Sequence, residues 1–221
     1  HAVDNAKEAY LTCNVLDLNR QKGVQAIEAN HGNKKNQNIY MDTCVMKTEL
    51  FISLVREAKK LSSMYTLADI LNDKCETLDI RGVAHKGFFA SITDFPSYYA
   101  ANMDLLDYKA AQELFHENWP IYTRTNDSCP TQYFDTAKVK NSVISNGCQI
   151  EGTVENSVIG RGCVIKKGAV VRNSVVLAEV TVGEDVHVEN EVVDKWAKLI
   201  HKKEIVSPAE QPGYIRRNDT L

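Results

Sequence analysis

Apolar residues recur at short, regular intervals through the C-terminal part of the chain. From Lys138 onward most steps between them are five or six residues, and glycines fall in the gaps. This spacing is typical of hexapeptide repeats in a parallel β-helix, where about three hexapeptides make one coil. The β-branched content and the glycine density exclude a helical heptad. The residues predicted to point inward are Ile144, Ile150, Ile159, Ile165, Val171, Val176, Val182, Val188, Val193 and Leu199.

A second periodicity lies within the first, because an asparagine returns after 15, 17 and 17 residues, each time ahead of an apolar pair. One coil cannot bury its own apolar face, so the repeat predicts three or four stacked coils that share a core. Neighbouring residues of a strand point to opposite faces. The repeat therefore also predicts an outward valine column, formed by Val143, Val158, Val175 and Val192.

The valine column is a candidate protein interface, since a stacked apolar row indicates a covered surface. The alternative is β-propensity alone, with the valines on a solvated sheet. Both interpretations stay open at the level of the sequence.

The N-terminal part of the chain has the pattern of a mixed α/β domain. Residues 9–29 predict two strands around a polar turn at 19–23. Residues 38–46 predict a third strand, and 75–91 alternate as one or two more strands would.

Helical patterns separate these predicted strands. Residues 48–61 predict an amphipathic helix with Thr48 as its N-cap. Residues 66–73 open with a capping box, and 96–117 predict one or two helices. Residues 118–136 lack periodicity and contain two prolines, so they are predicted to be a linker.

These patterns divide the chain into two predicted domains. Residues 1–117 form the α/β part, 118–136 the linker, and 137–221 the β-helix with its tail. The net charge of −3 gives no general attraction to nucleic acid. No apolar run approaches the roughly 20 residues of a membrane span, and the N-terminus has no apolar signal core. The sequence therefore predicts a cytoplasmic protein without nucleic-acid or membrane partners.

The six cysteines form no C-x-x-C pair, and the favoured interpretation is six reduced thiols rather than disulfides. Cys148 and Cys163 share one repeat position and are predicted to stack as small packing residues. His187 is the only histidine inside the repeats. A hexapeptide acyltransferase needs a general-base histidine, and a zinc hydratase needs several ligands. Both classes are therefore disfavoured, and His187 is predicted to be a surface residue.

The tail gathers many cations, which predict either a solvated face or a site for a phosphorylated small molecule. The solvated face is the favoured interpretation on the sequence alone. The cations and the adjacent histidine are Lys195, Lys198, His201, Lys202, Lys203, Arg216 and Arg217.

Several stretches together resemble bacterial ADP-glucose pyrophosphorylase (glucose-1-phosphate adenylyltransferase). They are YYAANMDLLD (98–107), WPIYT (119–123), the stretch from Cys129-Pro130 to Phe134, and the repeats up to Lys195. The resemblance implies an α/β nucleotidyltransferase (Rossmann-like) domain, here partial, followed by a left-handed β-helix. It also implies an assembly that makes ADP-glucose from ATP and glucose 1-phosphate, with Mg²⁺, for glycogen synthesis.

The departures from this family fall on its substrate and metal positions. Glu28-Ala29-Asn30 stands where the family has Glu-Lys-Pro, so Glu28 is a remnant of the substrate site and Ala29 replaces the phosphate-binding lysine. Ser91 stands where the family has a magnesium-binding aspartate. An alanine supplies no cation, and a neutral hydroxyl is a poor ligand for a hard dication. The alternative is an alignment shifted by three residues, which would put Asp94 at the metal position.

Within the family, the two losses resemble the non-catalytic, GlgD-type subunit. That resemblance implies no catalytic residue and no cofactor in this chain, with Mg²⁺ held by a catalytic partner subunit in a heterotetramer. It also implies a small phosphorylated effector, because Val192-Val193-Asp194-Lys195 resembles a stretch whose lysine lies at the activator site. The competing functions are a catalytically competent sugar-phosphate nucleotidyltransferase and, less favoured, a hexapeptide acyltransferase.

Overall fold

A computed structural model describes residues 1–60, 66–123, 125 and 127–221. The chain forms two compact units, His1–Ser91 and Ile92–Leu221. In the described residues, no helix is both long and apolar enough to cross a membrane.

The sheet of the first unit is antiparallel, with strand order β1-β4-β2-β3. The predicted hairpin is confirmed as β2 and β3, and the Asn19 Oδ1 accepts hydrogen bonds from the Gln21 and Gly23 amides at 2.9 Å each. The predicted third strand is shorter than 38–46. The strands are β1 (Ala2–Val3), β2 (Asn14–Leu18), β3 (Val24–Ala29) and β4 (Gln37–Ile39).

The predicted strands at 75–91 are wrong. The only ladder contact in this stretch is an isolated bridge between Gly23 and Arg81. The alternation has another cause, because Leu78 and Ile80 pack against the apolar cluster of this unit from an irregular segment.

Two helices cover the first sheet: α1 (Thr48–Ala58) and α2 (Leu67–Asp73). The prediction of Thr48 as N-cap is wrong, since Thr48 is already helical and the cap is Lys47, which makes no side-chain cap hydrogen bond. The capping box of α2 is confirmed. Leu61, the last residue of the predicted first helix, lies outside the described residues.

The second unit begins with two helices, α3 (Phe95–Asp104) and α4 (Tyr108–Leu114), which confirms the prediction for 96–117. Asp94 caps α3 through a capping box with Ser97, and a proline lies in the first turn. These helices belong to the same compact unit as the repeats, whereas the sequence pattern grouped them with the α/β part.

The rest of the second unit is a parallel β-solenoid, with about four turns over residues 132–206. Its three faces are five-stranded parallel sheets. One face, here called the valine face, has the strand order β19-β16-β13-β10-β7. The other two faces have the orders β17-β14-β11-β8-β5 and β18-β15-β12-β9-β6. The strands are β5 (Gln132–Tyr133), β6 (Lys138–Lys140), β7 (Val143–Ile144), β8 (Gln149–Ile150), β9 (Thr153–Glu155), β10 (Val158–Ile159), β11 (Val164–Ile165), β12 (Val170–Arg172), β13 (Val175–Val176), β14 (Thr181–Val182), β15 (His187–Glu189), β16 (Glu191–Val193), β17 (Lys198–Leu199), β18 (Glu204–Val206) and β19 (Gly213–Ile215).

The solenoid starts inside the predicted linker, because β5 lies within 118–136. β5 pairs in parallel with β8. The sequence did not reveal it, because a repeat cannot be recognised from a single strand at the start of the stack. Nine of the ten predicted inward residues are buried, and Ile144 at the open edge is partly buried. The predicted inward set lacks several other members of the core: Val154, Ala169, Val180, Val186, Ala197, Ile205 and Ile215.

The recurring asparagine marks one corner of each coil. Asn141, Asn156, Asn173 and Asn190 all have positive φ, between 44° and 56°. Asparagine tolerates this left-handed conformation better than most residues. The repeat thus encodes a turn as well as a core.

A serine follows three of the four asparagines and links successive coils. Ser157 Oγ accepts from the Ser174 amide at 3.1 Å, and Ser174 Oγ accepts from the Glu191 amide at the same distance. Each hydroxyl also donates to the carbonyl two residues before it, at 2.6 Å for Ser174. Ser157 and Ser174 are fully buried, so this ladder satisfies backbone groups that water cannot reach.

A buried glutamate ends the serine ladder. Glu191 takes the serine position in the next coil, and the Ser207 hydroxyl donates to its carboxylate at 2.6 Å. Burial raises the pKa of Glu191, and the bond from Ser207 and the charge of Lys202 oppose that shift.

All six cysteines are free thiols, as the sequence predicts. Cys148 and Cys163 are buried in the core, where their thiols donate to the carbonyls of Gly160 and Leu177 at 3.1 and 3.0 Å. The hydrogen bond with Cys148 and burial raise the pKa of the Cys163 thiol, which keeps it protonated.

The ladder predicts a measurable loss of stability for Ser174→Ala. The substitution leaves the Glu191 amide without its buried acceptor, which costs about 1–3 kcal/mol in the free energy of unfolding. Urea denaturation measures this loss. Ser142→Ala is the comparison, because the Ser142 hydroxyl also accepts a ladder amide, that of Ser157 at 3.1 Å, but is only partly buried at the open edge. Its loss is therefore expected to be smaller. Equal stability of the Ser174→Ala protein and the wild type would contradict the role of the ladder.

Candidate functional site

Ala29 and Ser91, which the family resemblance predicts to be degenerate substrate and metal positions, lie around the start of β2. Ala29 ends β3 and pairs with Asn14, while the Asn30 amide donates to the Cys13 carbonyl at 2.9 Å. Cys13 Sγ lies 3.1 Å from Ser91 Oγ. The structure therefore brings the backbone beside Ala29 and the side chain of Ser91 to the same residue, Cys13, although 62 positions separate Ala29 from Ser91 in the sequence.

The residue after Ala29 has a structural task. Asn30 is buried, and its side-chain amide donates to the carbonyls of Ala6 and Tyr10 at 2.8 and 3.0 Å. Its oxygen accepts from the Gly32 amide at 3.0 Å. Glu28 and Ala29 are exposed at the end of β3. A ligand at this edge would therefore meet a carboxylate and a methyl group.

The side chains around Ser91 do not suit Mg²⁺. The Ser91 hydroxyl faces a thiol, and Mg²⁺ prefers carboxylate and water oxygens. Asp94 is committed elsewhere, because its carboxylate accepts the Ser97 amide at 2.8 Å as the cap of α3. Hydrogen bonding from the Ser97 side chain and from its amide lowers the pKa of Asp94. In the parts of the chain that the structure describes, no group of three or more His, Cys, Asp or Glu side chains can hold a metal ion.

The valine column exists, but its members differ in exposure. Val143 is 48% exposed and Val158 is half-buried, whereas Val175 and Val192 are buried. The four stack in register on the valine face, with Tyr214 of β19 next to Val192.

Helix α3 covers the buried end of the valine column from within the same unit. It packs against β13, and the Tyr99 hydroxyl donates to the Asn173 carbonyl at 2.5 Å. Phe95 meets the Tyr214 ring edge-on, with 5.8 Å between ring centroids. Val175 and Val192 therefore offer no surface to a partner while α3 is in place, and an interface prediction stands only for Val143 and Val158. The sequence pattern cannot show that α3 of the same chain covers part of this column.

Lys195, the predicted effector contact, lies in a turn with both charges and aromatic rings. Its side chain is exposed, and its amide donates to Asp194 Oδ1 at 2.6 Å. The Tyr214 hydroxyl donates to the other oxygen of Asp194 at 2.8 Å. The guanidinium of Arg217 lies 4.2 Å from the centre of the Trp196 ring.

Asp194 organises this cluster electrostatically. Partial burial acts to raise its pKa, but the bonds from Lys195 and Tyr214 and the charges of Arg217 and Lys195 lower it overall. The carboxylate is therefore ionised near neutral pH. Lys195, Arg216 and Arg217 outnumber Asp194 and Asp219, which leaves a net positive surface suited to an anion.

The other cations of the tail do not all join this cluster. Lys203 donates to the Glu184 carbonyl at 2.5 Å. The charge of Lys202 lowers the pKa of Glu191 against the effect of burial. His187 lies on β15, between β18 and β12 in its sheet, and its partly buried ring is 3.1 Å from Glu189 and 3.4 Å from Glu204. Sequence reasoning missed Tyr214 and Trp196, because no motif or period marks them.

Comparison with known proteins agrees with this architecture. Residues 130–211 match the family model described as GlmU-like, C-terminal hexapeptide. The chain is 33% identical to the glycogen biosynthesis protein GlgD of Geobacillus stearothermophilus, over 73% of this chain and 47% of that protein. It is 29% identical to GlgD of Bacillus subtilis, over 98% of this chain and 60% of that protein.

A glucose-1-phosphate adenylyltransferase, from Fervidobacterium nodosum, is 33% identical over 63% of this chain and 34% of its own length. The chain thus spans about half the length of the GlgD proteins that it matches.

The cover over the valine column predicts opposite results for two similar substitutions. Val175→Glu places a charge under α3 and destabilises the second unit by about 3 kcal/mol or more, because a buried unpaired charge is costly. Val143→Glu is the matched control at the exposed end, and its effect stays within about 0.5 kcal/mol. Urea denaturation measures both. Equal losses in the two variants would contradict the position of α3.

Proposed function

Because this chain is a relative of glucose-1-phosphate adenylyltransferases and of the GlgD proteins, we propose that it is a regulatory, non-catalytic subunit of a glucose-1-phosphate adenylyltransferase. The assembly would make ADP-glucose and diphosphate from ATP and glucose 1-phosphate in cytoplasmic glycogen biosynthesis. The observation that carries the proposal is the pair of substitutions, Ala29 for the phosphate-binding lysine and Ser91 for the magnesium aspartate. In this proposal Mg²⁺ belongs to the catalytic partner.

The two losses act on the same chemical step. Adenylyl transfer depends on cations that neutralise charge developing on the phosphates. Removing one such group typically costs about 3 kcal/mol of transition-state stabilisation, or on the order of a hundredfold to a thousandfold in rate. Losing both a cation and a metal ligand favours a subunit that supports catalysis over one that performs it.

The contacts around Asp94 weigh against the catalytically competent alternative. That alternative needs Asp94 to hold the metal in place of Ser91. The Asp94 carboxylate instead accepts the Ser97 amide at the start of α3, so binding a metal would compete with the helix cap.

The acyltransferase alternative depends on a general-base histidine in the repeats. His187 is the only candidate in the repeat sequence, and it lies on the outer surface of β15 between two glutamates. A single histidine in the repeats is weak support for acyl transfer, and the regulatory-subunit proposal therefore stands first.

The partner proposed is the catalytic subunit, in a heterotetramer. The open edge of the solenoid supplies a surface for it. Val143 is exposed on the edge strand β7, Val139 is exposed on the edge strand β6, and Val158 is half-buried in the next coil. Strand edges and contiguous apolar rows favour contact with another chain.

Sedimentation of the two co-expressed full-length chains tests the proposed assembly. The wild-type chains are expected to sediment together as one complex at micromolar concentration. Val143→Glu is expected to separate them while the folded monomer persists, because a charge enters an apolar contact. Separate species in the wild-type mixture would refute the partner-subunit proposal.

The anion site around Lys195 is the proposed site for a small phosphorylated effector. Lys195→Ala removes one charge-assisted hydrogen bond, worth about 1.5–3 kcal/mol, so the half-saturating effector concentration should rise about tenfold or more. Activation curves of the mixed enzyme measure this. Lys138→Ala, an exposed lysine at the opposite end of the solenoid, is the control and should keep the wild-type curve. An unchanged curve for Lys195→Ala would remove Lys195 from the site.

A further inference from the structure

One tyrosine joins the charged cluster of Asp194, Lys195 and Arg217 to α3, the helix that covers part of the valine face. The Tyr214 hydroxyl donates to Asp194 at 2.8 Å, and the ring of the same residue meets Phe95 at the start of α3. The three residues form a continuous path of direct contacts, Asp194 to Tyr214 to Phe95, within the second unit.

This tyrosine is not needed to fill the core. Its side chain is 53% exposed, whereas the next residue, Ile215, is buried and holds β19 in the solenoid. Tyr214 also lies beside Val192 in the ladder, so its backbone position is set by β16. An aromatic residue with its hydroxyl on a carboxylate and its ring on a helix is therefore placed to sense one and restrain the other.

We propose that Tyr214 is a positioning residue that transmits occupancy of the anion site at Lys195 and Arg217 to the N-terminus of α3. This inference rests on the proposed effector function and specifies its regulation. The ligand class is a phosphate-bearing anion, because the exposed groups of the cluster are an ammonium and a guanidinium.

The electrostatics give the direction of the effect. Lys195 and Arg217 now help to neutralise Asp194. An anion that engages these cations takes part of their charge away from Asp194, so the carboxylate depends more on the Tyr214 hydroxyl. A stronger hydrogen bond to Asp194 restricts the positions that the Tyr214 ring can take. The contact of that ring with Phe95 then restrains the first turn of α3.

The chain itself carries the effect onward. Asp94, the cap of α3, follows Ser91 by three residues, and Ser91 ends the first unit. A restraint on the first turn of α3 therefore acts on the segment that leads to the former metal position. Coupling free energies between sites of this kind are typically about 1–3 kcal/mol, or about 5–150-fold in an equilibrium constant.

Hydrogen exchange of the full-length protein tests the inference with inorganic phosphate as the probe and potassium chloride at equal ionic strength as the control. Trp196 fluorescence reports binding, because Arg217 lies on its ring, and a Trp196→Phe protein identifies that signal. In the wild type, phosphate is expected to change Trp196 fluorescence and to slow exchange of the α3 amides about fivefold or more.

Tyr214→Phe keeps the ring and removes the hydroxyl. Without phosphate, the α3 amides of this variant are expected to exchange faster than those of the wild type. With phosphate, the Trp196 fluorescence is expected to respond as in the wild type, but exchange of the α3 amides is no longer slowed. Tyr133→Phe is the matched control, since Tyr133 is equally exposed (54%) on β5 and should behave as the wild type.

The outcomes separate the inference from the function on which it rests. If Tyr214→Phe exchanges like the wild type both with and without phosphate, the inference is wrong. If the wild type binds phosphate at Trp196 but α3 does not respond, the inference is also wrong while the effector site stands. If phosphate does not change Trp196 fluorescence in the wild type, the effector proposal fails for this probe. In that case the test is the exchange rate of the α3 amides without phosphate. If this rate is the same in Tyr214→Phe and in the wild type, Tyr214 does not restrain α3 and the inference is wrong.

Discussion

The left-handed turn at each recurring asparagine sets the register of the solenoid, and the rest of the second unit depends on it. The turn places the following serine where its hydroxyl joins two coils, and it places the next two residues on opposite sides of the strand. A slip of one residue would bring the outward valines inward and expose the core. The turn also offers its own carbonyl to α3, because the Tyr99 hydroxyl binds the carbonyl of Asn173.

This single corner therefore links three levels of structure. It stacks the core residues, presents the valine face, and fixes the helix that covers half of it. The neighbouring coil continues the same geometry into Asp194 and Lys195, directly after β16. The charged cluster of Asp194, Lys195 and Arg217 is consequently held by a rigid scaffold.

The period of the sequence was enough to predict the core, since inward residues of a repeat must recur at the coil length. The same logic failed wherever a segment occurs once. The strand β5 has no earlier copy to compare with, and 75–91 alternates because Leu78 and Ile80 pack, from an irregular segment, against an apolar cluster built from both β3 and the helices. Tertiary contacts were equally hidden. Nothing local in Val175 or Val192 distinguishes them from Val143, and only the placement of α3 does so. At the candidate sites, Ala29, Ser91 and Lys195 were found through family resemblance, while Tyr214 and Trp196 carry no signal in the sequence. Their role depends on side chains that meet across coils.

The central claim is that this chain supports adenylyl transfer and does not perform it. The most direct measurement is ADP-glucose formation from ATP and glucose 1-phosphate with Mg²⁺, by the purified full-length protein alone and mixed with the catalytic subunit of the same organism. Ala29 and Ser91 together predict negligible turnover for the protein alone, at least about a thousandfold below the catalytic subunit. The mixture is predicted to exceed the catalytic subunit alone in rate or in response to the effector. Turnover by the full-length protein alone at a rate like that of the catalytic subunit would contradict the account.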